Sequence, residues 1–231
     1  MKSQPGIDFS TLLASAAHDM KNSLSVILST LDELHDDNAD TSTLNKPIDL
    51  VRYEAKRVNN DLISLLTLYK LESDHIAPHY ELNSVHDFLE DQLLYHHSSL
   101  ELRNIVATIQ ADELLEWVFD SELLGTVINN LINNALRYTQ KKIILSGIII
   151  DKQLCISVED DGTGYPAQIL DNSQAASGYN SDFKSGSTGL GLHFSQVIAE
   201  AHQNSDEQGH IKLSNDSQLG GGKFSIFLPN I

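Results

Sequence analysis

The chain of 231 residues carries a formal net charge of −17 at neutral pH, and 41% of its residues are hydrophobic. This length allows two small domains with a sizeable core, whereas so acidic a chain argues against nucleic acid as a partner. The longest apolar run, residues 143–150, is too short to span a membrane, and the N-terminus lacks the apolar stretch of a secretory signal. With one cysteine, Cys155, no disulfide can form within the chain, and we expect a cytoplasmic protein.

Two stretches in the first third of the chain follow a heptad pattern. Within 13–34 and again within 48–69, apolar residues recur in alternating steps of four and three. This spacing is typical of helices that pack through an apolar seam. The polar segment 35–43 predicts a turn, and Pro47 fits the first turn of a returning helix. The pattern therefore predicts an antiparallel α-helical hairpin.

Further apolar residues lie beside the heptad seam at Leu28, Leu66 and Leu68. A single hairpin would leave them uncovered, so we expect two copies to pair into a dimeric four-helix bundle. The expected oligomeric state is a homodimer.

The pattern changes near Pro78, and we place a domain boundary there, with one domain over 1–75 and a second over 76–231. The second domain mixes helices and strands in the manner of an α+β two-layer sandwich. Predicted helices cover 84–99, 121–138 and 190–202, and predicted strands cover 104–110, 115–119, 141–150, 153–160, 210–214 and 223–229. Asp151 and Lys152 predict a hairpin turn between two of these strands. Residues 165–187 are rich in Ser, Asn, Gly and Ala, and are predicted to form a mobile loop.

The stretch SAAHDMKNSL, residues 15–24, places His18 one step outside the heptad seam and therefore facing solvent. Asp19 could hold one ring nitrogen and leave the other as a nucleophile. Asn22 lies one helical turn further along the same face, where its amide could position a water molecule. A surface histidine without a role is the alternative for this stretch taken alone.

The predicted helix 121–138 contains NNLINNALRY and has one polar face. Asn130, Asn134 and Arg137 share that face at spacings of four and three, opposite an apolar stripe. Amide oxygens can ligate Mg²⁺ and a guanidinium can bind phosphate. A merely solvated face is the alternative.

Two glycine-containing segments follow. DDGTG places Asp160 at the end of a predicted strand, where Gly162 and Gly164 would let the backbone approach a flat ligand closely. GSTGLGL places Gly189, Leu190 and Gly191 at the start of a helix, where free N–H groups favour an anion. Each segment alone could be a simple turn.

Taken in this order, the motifs resemble the catalytic core of the sensor histidine kinases of two-component systems. HDMKN looks like the phosphoacceptor box, NNLINNALRY like the asparagine box, and DDGTG and GLGL like the two glycine boxes; the resemblance covers nearly the whole chain. It implies a dimerisation and phosphoacceptor hairpin followed by an ATP-binding domain of the type shared with Hsp90, gyrase B and MutL.

The resemblance also implies roles for individual residues. His18 would accept the γ-phosphoryl group of ATP, Asp19 would orient its ring or act as a base, and Asn22 would position water for dephosphorylation of the partner. In the ATP-binding domain, Asn130 and Asn134 would bind Mg²⁺ and Arg137 would bind the phosphates. Tyr138 would form a wall of the nucleotide site, and Asp160 would bind the adenine amino group. The residues that would shape the pocket are Gly162, Gly164, Gly189, Leu190 and Gly191. The implied partner is the receiver domain of a response regulator.

The chain departs from the family at several positions. Lys21 stands where the family usually has arginine, Ser23 where it usually has proline, and Gly222 where it commonly has a threonine that contacts adenine. The loop before GLGL lacks a Phe-x-x-Phe pattern although Phe183 is near, and Gln-Asn rather than Gly-Gly follows His202. Few residues precede the first heptad stretch, so we expect either an excised core or a signal delivered by a separate sensor protein.

Three alternatives to a kinase remain open at this stage. The first is a dimeric histidine phosphotransferase whose second domain no longer uses ATP. The second is an ATPase of the gyrase or Hsp90 kind, which would leave the hairpin and His18 unexplained. The third is a dimeric scaffold, which would leave the ordered motifs unexplained.

Overall fold

The computed structural model describes residues 20–31, 45–72, 77–174 and 189–231. The chain divides into two compact units, one made of Met1–His75 with Ser181–Leu192 and the other of Ile76–Asn180 with His193–Ile231. Within the described ranges, no helix combines the length and the apolar character that a membrane crossing requires. His18 and Asp19 lie outside the described residues.

The first unit contains the two predicted helices of the heptad region. Helix α1 covers the described residues 20–31, and α2 runs over Asn45–Glu72. Small or polar side chains such as Ser23 and Thr30 are buried on α1, while the heptad residues Leu24 and Leu31 remain 48% and 46% exposed. The exposed apolar side chains of the two helices are Leu24, Val26, Leu28, Leu31, Leu62, Ile63, Leu66 and Tyr69. A single chain thus leaves much of its apolar helix surface in contact with water.

The second unit is built from strands and helices in mixed order. Its elements are β1 (Glu81–Ser84), α3 (Val85–Leu102), β2 (Val106–Ala111), β3 (Glu116–Phe119), α4 (Ser121–Tyr138), β4 (Lys142–Ile150), β5 (Gln153–Asp160), α5 (Ala167–Gln174), β6 (His210–Ser214) and β7 (Lys223–Leu228). Helix α6 (Gly189–Ala201) begins in residues of the first unit and continues into the second. Five strands form one sheet in the order β2-β4-β5-β7-β6, parallel only between β2 and β4, and β1 pairs with β3 separately.

One face of the five-stranded sheet is covered by helices, which gives the predicted α+β two-layer sandwich. Gly147 of β4 lies under α3 so closely that a Cβ atom there would come within 2.5 Å of Val85 Cγ1. On the opposite face, the hydroxyl groups of Ser146 and Ser157 hydrogen-bond across the β4–β5 pair at 2.6 Å. This alternation follows from the two-residue repeat of a strand.

The predicted hairpin between β4 and β5 is confirmed. Ile150 pairs with Gln153, and the two turn residues Asp151 and Lys152 have φ angles of 49° and 67°. Positive φ at both central residues is the requirement of the type I′ turn that suits the twist of two-residue hairpins.

The prediction of a loop over 165–187 is wrong for residues 167–174, which form α5. The carbonyl of Pro166 accepts the N–H groups of Ile169 and Leu170 at 2.9 and 3.3 Å, and α5 packs against β6. The apolar residues of this helix, Ile169 and Leu170, are half-buried, although the segment around them is polar. The remaining predicted loop residues, 175–187, lie outside the described residues.

Candidate functional site

Helix α4 has the two faces that its sequence predicts. Leu124, Ile128, Leu131 and Ala135 are buried. On the other side, Asn130 and Arg137 are half-buried and Asn134 is exposed. The helix begins at a defined place because the Asp120 carboxylate accepts the N–H of Leu123 at 2.9 Å, which caps its N-terminus. This cap fixes where α4 begins, and therefore which turn of the helix carries each asparagine.

Asn129, which precedes the polar face, has a structural role. Its Oδ1 lies 2.8 Å from Nε2 of His96, a buried residue of α3. The pair joins α3 and α4. This hydrogen bond accounts for an asparagine at position 129 without any ligand, although asparagine disfavours a helix interior.

The two aspartates of DDGTG have different hydrogen-bond partners. Asp160, at the end of β5, accepts the N–H of Gly162 at 2.8 Å and that of Gly222 at 3.3 Å, both at Oδ1. Burial raises the pKa of the Asp160 carboxyl, and these two hydrogen bonds oppose the rise. The other carboxylate oxygen, Oδ2, is thus the one available to a ligand.

Asp161 instead anchors the chain that leaves α4. Its Oδ1 accepts the N–H groups of Gln140 and Lys141 at 2.8 and 3.0 Å. Partial burial would raise the pKa of Asp161, but the backbone hydrogen bonds outweigh it and lower the pKa. Gly162 completes this junction, because a Cβ atom there would lie 2.5 Å from the carbonyl oxygen of Tyr138.

A pocket opens between α4 and the end of β5, within the second unit, and Asn134 of the polar face of α4 lines it. Its lining residues are Leu131, Asn134, Ala135, Val158, Asp160, Tyr165 and Phe224. An apolar wall with one half-buried carboxylate and one amide suits a flat, weakly polar ring that carries an N–H donor. The structure thus places Asn134 and Asp160 on one pocket, in agreement with what the resemblance described above implies.

Several residues of this site were missed by the sequence analysis. Tyr165 lines the pocket, and the side chain of Asn215 hydrogen-bonds to its backbone. The Ser217 hydroxyl donates to the Asp160 carbonyl at 3.0 Å. A Cβ atom at Gly221 would lie 2.5 Å from that carbonyl oxygen. Only the glycine run 220–222 could have signalled this close approach from the sequence.

The remaining predicted site residues are placed as follows. Asn22 is exposed on α1, and Gly164 has a φ of 74° beside Asn215. Gly189, Leu190 and Gly191 open α6, as expected for a helix start. Their role in ligand binding stays a prediction, as does that of His18 and Asp19.

The polar side chains on α4 are of the types that bind magnesium and phosphate. Asn130 and Asn134 offer amide oxygens, the hard donors that Mg²⁺ accepts alongside water and phosphate. Arg137, with its guanidinium carbon 5.9 Å from the ring centre of Tyr138, adds a positive charge at the end of the same face. The donor set therefore fits a magnesium-bound phosphate group.

Comparison with known protein families matches residues 119–230 to the histidine kinase-, DNA gyrase B- and HSP90-like ATPase family. The match begins at the last residue of β3 and includes α4, both glycine segments and the final strand. All described residues of the pocket lie inside it.

Curated relatives extend the similarity over nearly the whole chain. The sensor histidine kinase RppB of Synechocystis is 28% identical over 94% of this chain, and the sensor protein SrrB of Staphylococcus aureus is 23% identical over 94%. The chain spans 48% of the length of the first and 37% of the second.

Solved structures share the fold. The histidine kinase AdeS of Acinetobacter baumannii aligns with a TM-score of 0.65 at 20% identity, over 92% of this chain and 97% of that one. The histidine kinase ThkA, solved in complex with the response regulator protein TrrA, aligns with a TM-score of 0.65 at 17% identity, over 96% of this chain and 61% of that one.

Proposed function

We propose that the chain, whose residues 119–230 match the histidine kinase-, DNA gyrase B- and HSP90-like ATPase family and which is similar to sensor histidine kinases over most of its length, is an ATP-dependent protein-histidine kinase. In this proposal, it phosphorylates its own His18 from Mg²⁺–ATP. It then passes the phosphoryl group to an aspartate in the receiver domain of a response regulator.

The observation that carries the proposal is the meeting of Asn134 and Asp160 on one pocket. These residues are distant in sequence and come from a helix and a strand end. The half-buried carboxylate would suit the amino group of adenine, and the amide would suit the metal-bound phosphates. The apolar residues Leu131, Val158 and Phe224 between them suit the face of a purine.

The pocket and the polar face of α4 have separate parts in this scheme. Asp160 accepts the adenine amino group at Oδ2, while Oδ1 stays bonded to the backbone. Asn130 and Asn134 would hold Mg²⁺, Arg137 would bind the phosphates and Tyr138 would form a wall for the nucleotide. Gly162 and Gly164 would allow close approach of the base, and Gly189, Leu190 and Gly191 would offer helix N-terminal N–H groups to an anion. When bound, Mg²⁺ would supply charge neutralisation at the phosphates.

His18 supplies the nucleophile. One ring nitrogen attacks the γ-phosphorus in line as the bond to the ADP oxygen breaks, while Asp19 takes up or shares the proton on the other ring nitrogen. An imidazole with an ordinary pKa of about 6.5 is largely neutral at cell pH, so orientation matters more than activation. Asn22, exposed on α1, positions water when the same face dephosphorylates the receiver partner.

The proposal assigns residues 1–75 to dimerisation and phosphoacceptance and residues 76–231 to ATP binding. The exposed leucines of α1 and α2 support a homodimer, because a second hairpin would cover them. The structural neighbour ThkA, solved with a response regulator protein, supports a receiver domain as the partner. The reaction belongs in the cytoplasm, where ATP is available, and its signal comes from a sensor region or a separate sensor protein.

The test is incubation with Mg²⁺ and ATP labelled at the γ-phosphate. We expect acid-labile, base-stable label on the wild type and none on His18→Ala or Asn134→Ala. His97→Ala is the matched control, since His97 is exposed on α3 and pairs only with Glu101 among its described ionic contacts. That variant should label like the wild type.

Other outcomes identify the alternatives. Label that reaches His18 only from a phosphorylated receiver domain, and never from ATP, indicates a relay phosphotransferase. Steady phosphate release that His18→Ala leaves unchanged indicates a plain ATPase.

A further inference from the structure

Tyr165, directly after DDGTG, contributes an aromatic ring to the wall of the pocket. The ring lies against Gly222: a Cβ atom at position 222 would be 3.0 Å from Cε2 and 3.4 Å from Cδ2 of Tyr165. The same atom would lie 3.1 Å from Oδ2 of Asp160. Contacts this short require a neighbour to move, so the absence of a side chain at 222 is what leaves room for the ring beside the carboxylate.

The backbone of Tyr165 is held in place by one side chain. Its N–H donates to Oδ1 of Asn215 at 2.7 Å, and Nδ2 of Asn215 donates back to its carbonyl oxygen at 3.0 Å. Gly164 makes this clamp possible in two ways, because its φ is 74° and a Cβ atom there would lie 2.7 Å from Asn215 Oδ1. The ring is therefore presented by a fixed backbone, which reduces the entropy lost when a ligand binds against it.

The chemistry beside the ring restricts what can stack on it. Leu131, Val158 and Phe224 supply apolar surface, and Asp160 supplies one acceptor oxygen at the edge. A flat heteroaromatic ring with an N–H donor satisfies both the aromatic face and the carboxylate.

We propose that Tyr165 is a base-stacking residue of the nucleotide site, and that Gly222 and Asn215 are the positioning residues that allow and fix its ring. The inference rests on the proposed function, since it names the part of the nucleotide that Tyr165 recognises. The phosphates and Mg²⁺ are bound elsewhere in the site and do not depend on this ring.

A double-mutant cycle tests the proposal, with calorimetric titration of the non-hydrolysable analogue AMP-PNP and Mg²⁺ into the full chain. Tyr165→Ala should weaken binding about tenfold or more, because stacking of one base on an aromatic ring is worth roughly 1–3 kcal/mol. Tyr165→Phe keeps the ring and should bind like the wild type, whereas Tyr165→Leu keeps bulk without the ring and should bind like Tyr165→Ala. Gly222→Ala should weaken binding several-fold in the wild type and much less in the Tyr165→Ala background.

A second probe separates recognition of the base from damage to the site. Inorganic triphosphate with Mg²⁺ should bind wild type and Tyr165→Ala equally, because it carries no base. Three outcomes would overturn the role of Tyr165. Tyr165→Ala could weaken binding of AMP-PNP and of triphosphate equally, or it could bind AMP-PNP as tightly as the wild type. The effects of Tyr165→Ala and Gly222→Ala on AMP-PNP affinity could also be additive. A wild-type chain that binds neither probe would overturn the proposed function itself.

Discussion

The backbone N–H of Asp120 donates a hydrogen bond of 3.1 Å to Nε2 of His202, although 82 residues separate them in the chain. The other ring nitrogen of His202, Nδ1, lies 2.8 Å from the carbonyl of Ile198, so the ring is neutral with its proton on Nδ1. Since Asp120 also caps α4, one buried imidazole ties the end of α6 to the start of the asparagine-bearing helix.

Removal of this imidazole should therefore destabilise the second unit. His202→Ala leaves a buried N–H without an acceptor and opens a cavity, and we expect it to lower the free energy of unfolding by about 2–4 kcal/mol. Urea unfolding followed by the fluorescence of Trp117, the single tryptophan, measures the change. The exposed His97→Ala should stay within about 0.5 kcal/mol of the wild type, and equal effects of the two variants would contradict the role of His202.

Stability should also fall in mild acid. Burial lowers the pKa of His202, against the opposing effects of the Ile198 carbonyl and Asp120. A lowered folded-state pKa means that the full stability is present above the unfolded value of about 6.5 and is lost as the pH falls towards the folded value. Urea midpoints measured from pH 7.5 to pH 5 should decline, and His202→Gln should decline less steeply. Part of the slope should remain, because burial also lowers the pKa values of His193 and His210.

Binding of adenine nucleotide should weaken at low pH through Asp160. Burial raises the pKa of this carboxyl, and only its ionised form accepts two hydrogen bonds from the backbone and one from a ligand at the same time. We expect the affinity for Mg²⁺–AMP-PNP to fall as the pH drops through that raised pKa. Asp160→Asn should lose about tenfold or more in affinity at pH 7.5 and most of the acid-dependent decline. An unchanged pH profile in this variant would show that Asp160 is not the acceptor.

Two glycines of the same region should respond oppositely to alanine. At Gly162, a Cβ atom would press against the Tyr138 carbonyl, so Gly162→Ala should lower the free energy of unfolding by about 1–3 kcal/mol. At Gly125, inside α4, the nearest atoms are 3.6 Å away on Gln92, an ordinary contact. Gly125→Ala should therefore raise stability by up to about 1 kcal/mol through helix propensity. Thermal or urea unfolding of both variants distinguishes a packing constraint from a general effect of removing glycine.

Substitution of exposed leucines on α1 and α2 should weaken the proposed dimer. Leu31→Gln combined with Leu66→Gln should raise the dissociation constant at least about tenfold, because these side chains are 46% and 47% exposed in one chain and would be covered in two. Analytical ultracentrifugation measures the shift. Leu114→Gln, at a site 88% exposed in the second unit, is the matched control and should leave the oligomeric state unchanged. A wild-type chain that sediments as a monomer at all concentrations would contradict the dimer.

Local patterns were sufficient to predict most elements of the second unit. Residues 121–138 form α4 with the predicted apolar and polar faces, and the two-residue turn between β4 and β5 forms at Asp151 and Lys152. Both depend on spacing within a few residues, which the sequence displays directly. β1 and α5 were not anticipated, because four residues of strand and eight of helix depend on contacts with β3 and β6 rather than on their own periodicity.

The sequence by itself determined the order of the motifs and the class of the fold, and it singled out Asn134 and Asp160 as candidate site residues, because these inferences follow from residue type and short-range spacing. Only the tertiary structure decided that Asp161 anchors a turn while Asp160 faces the pocket, and that Tyr165 stands against Gly222 under the control of Asn215. Asn215 is 50 residues from Tyr165 in sequence, and no periodicity connects them. Such pairs are set by how the sheet and its connections close in space, which is a property of the whole folded unit rather than of any segment.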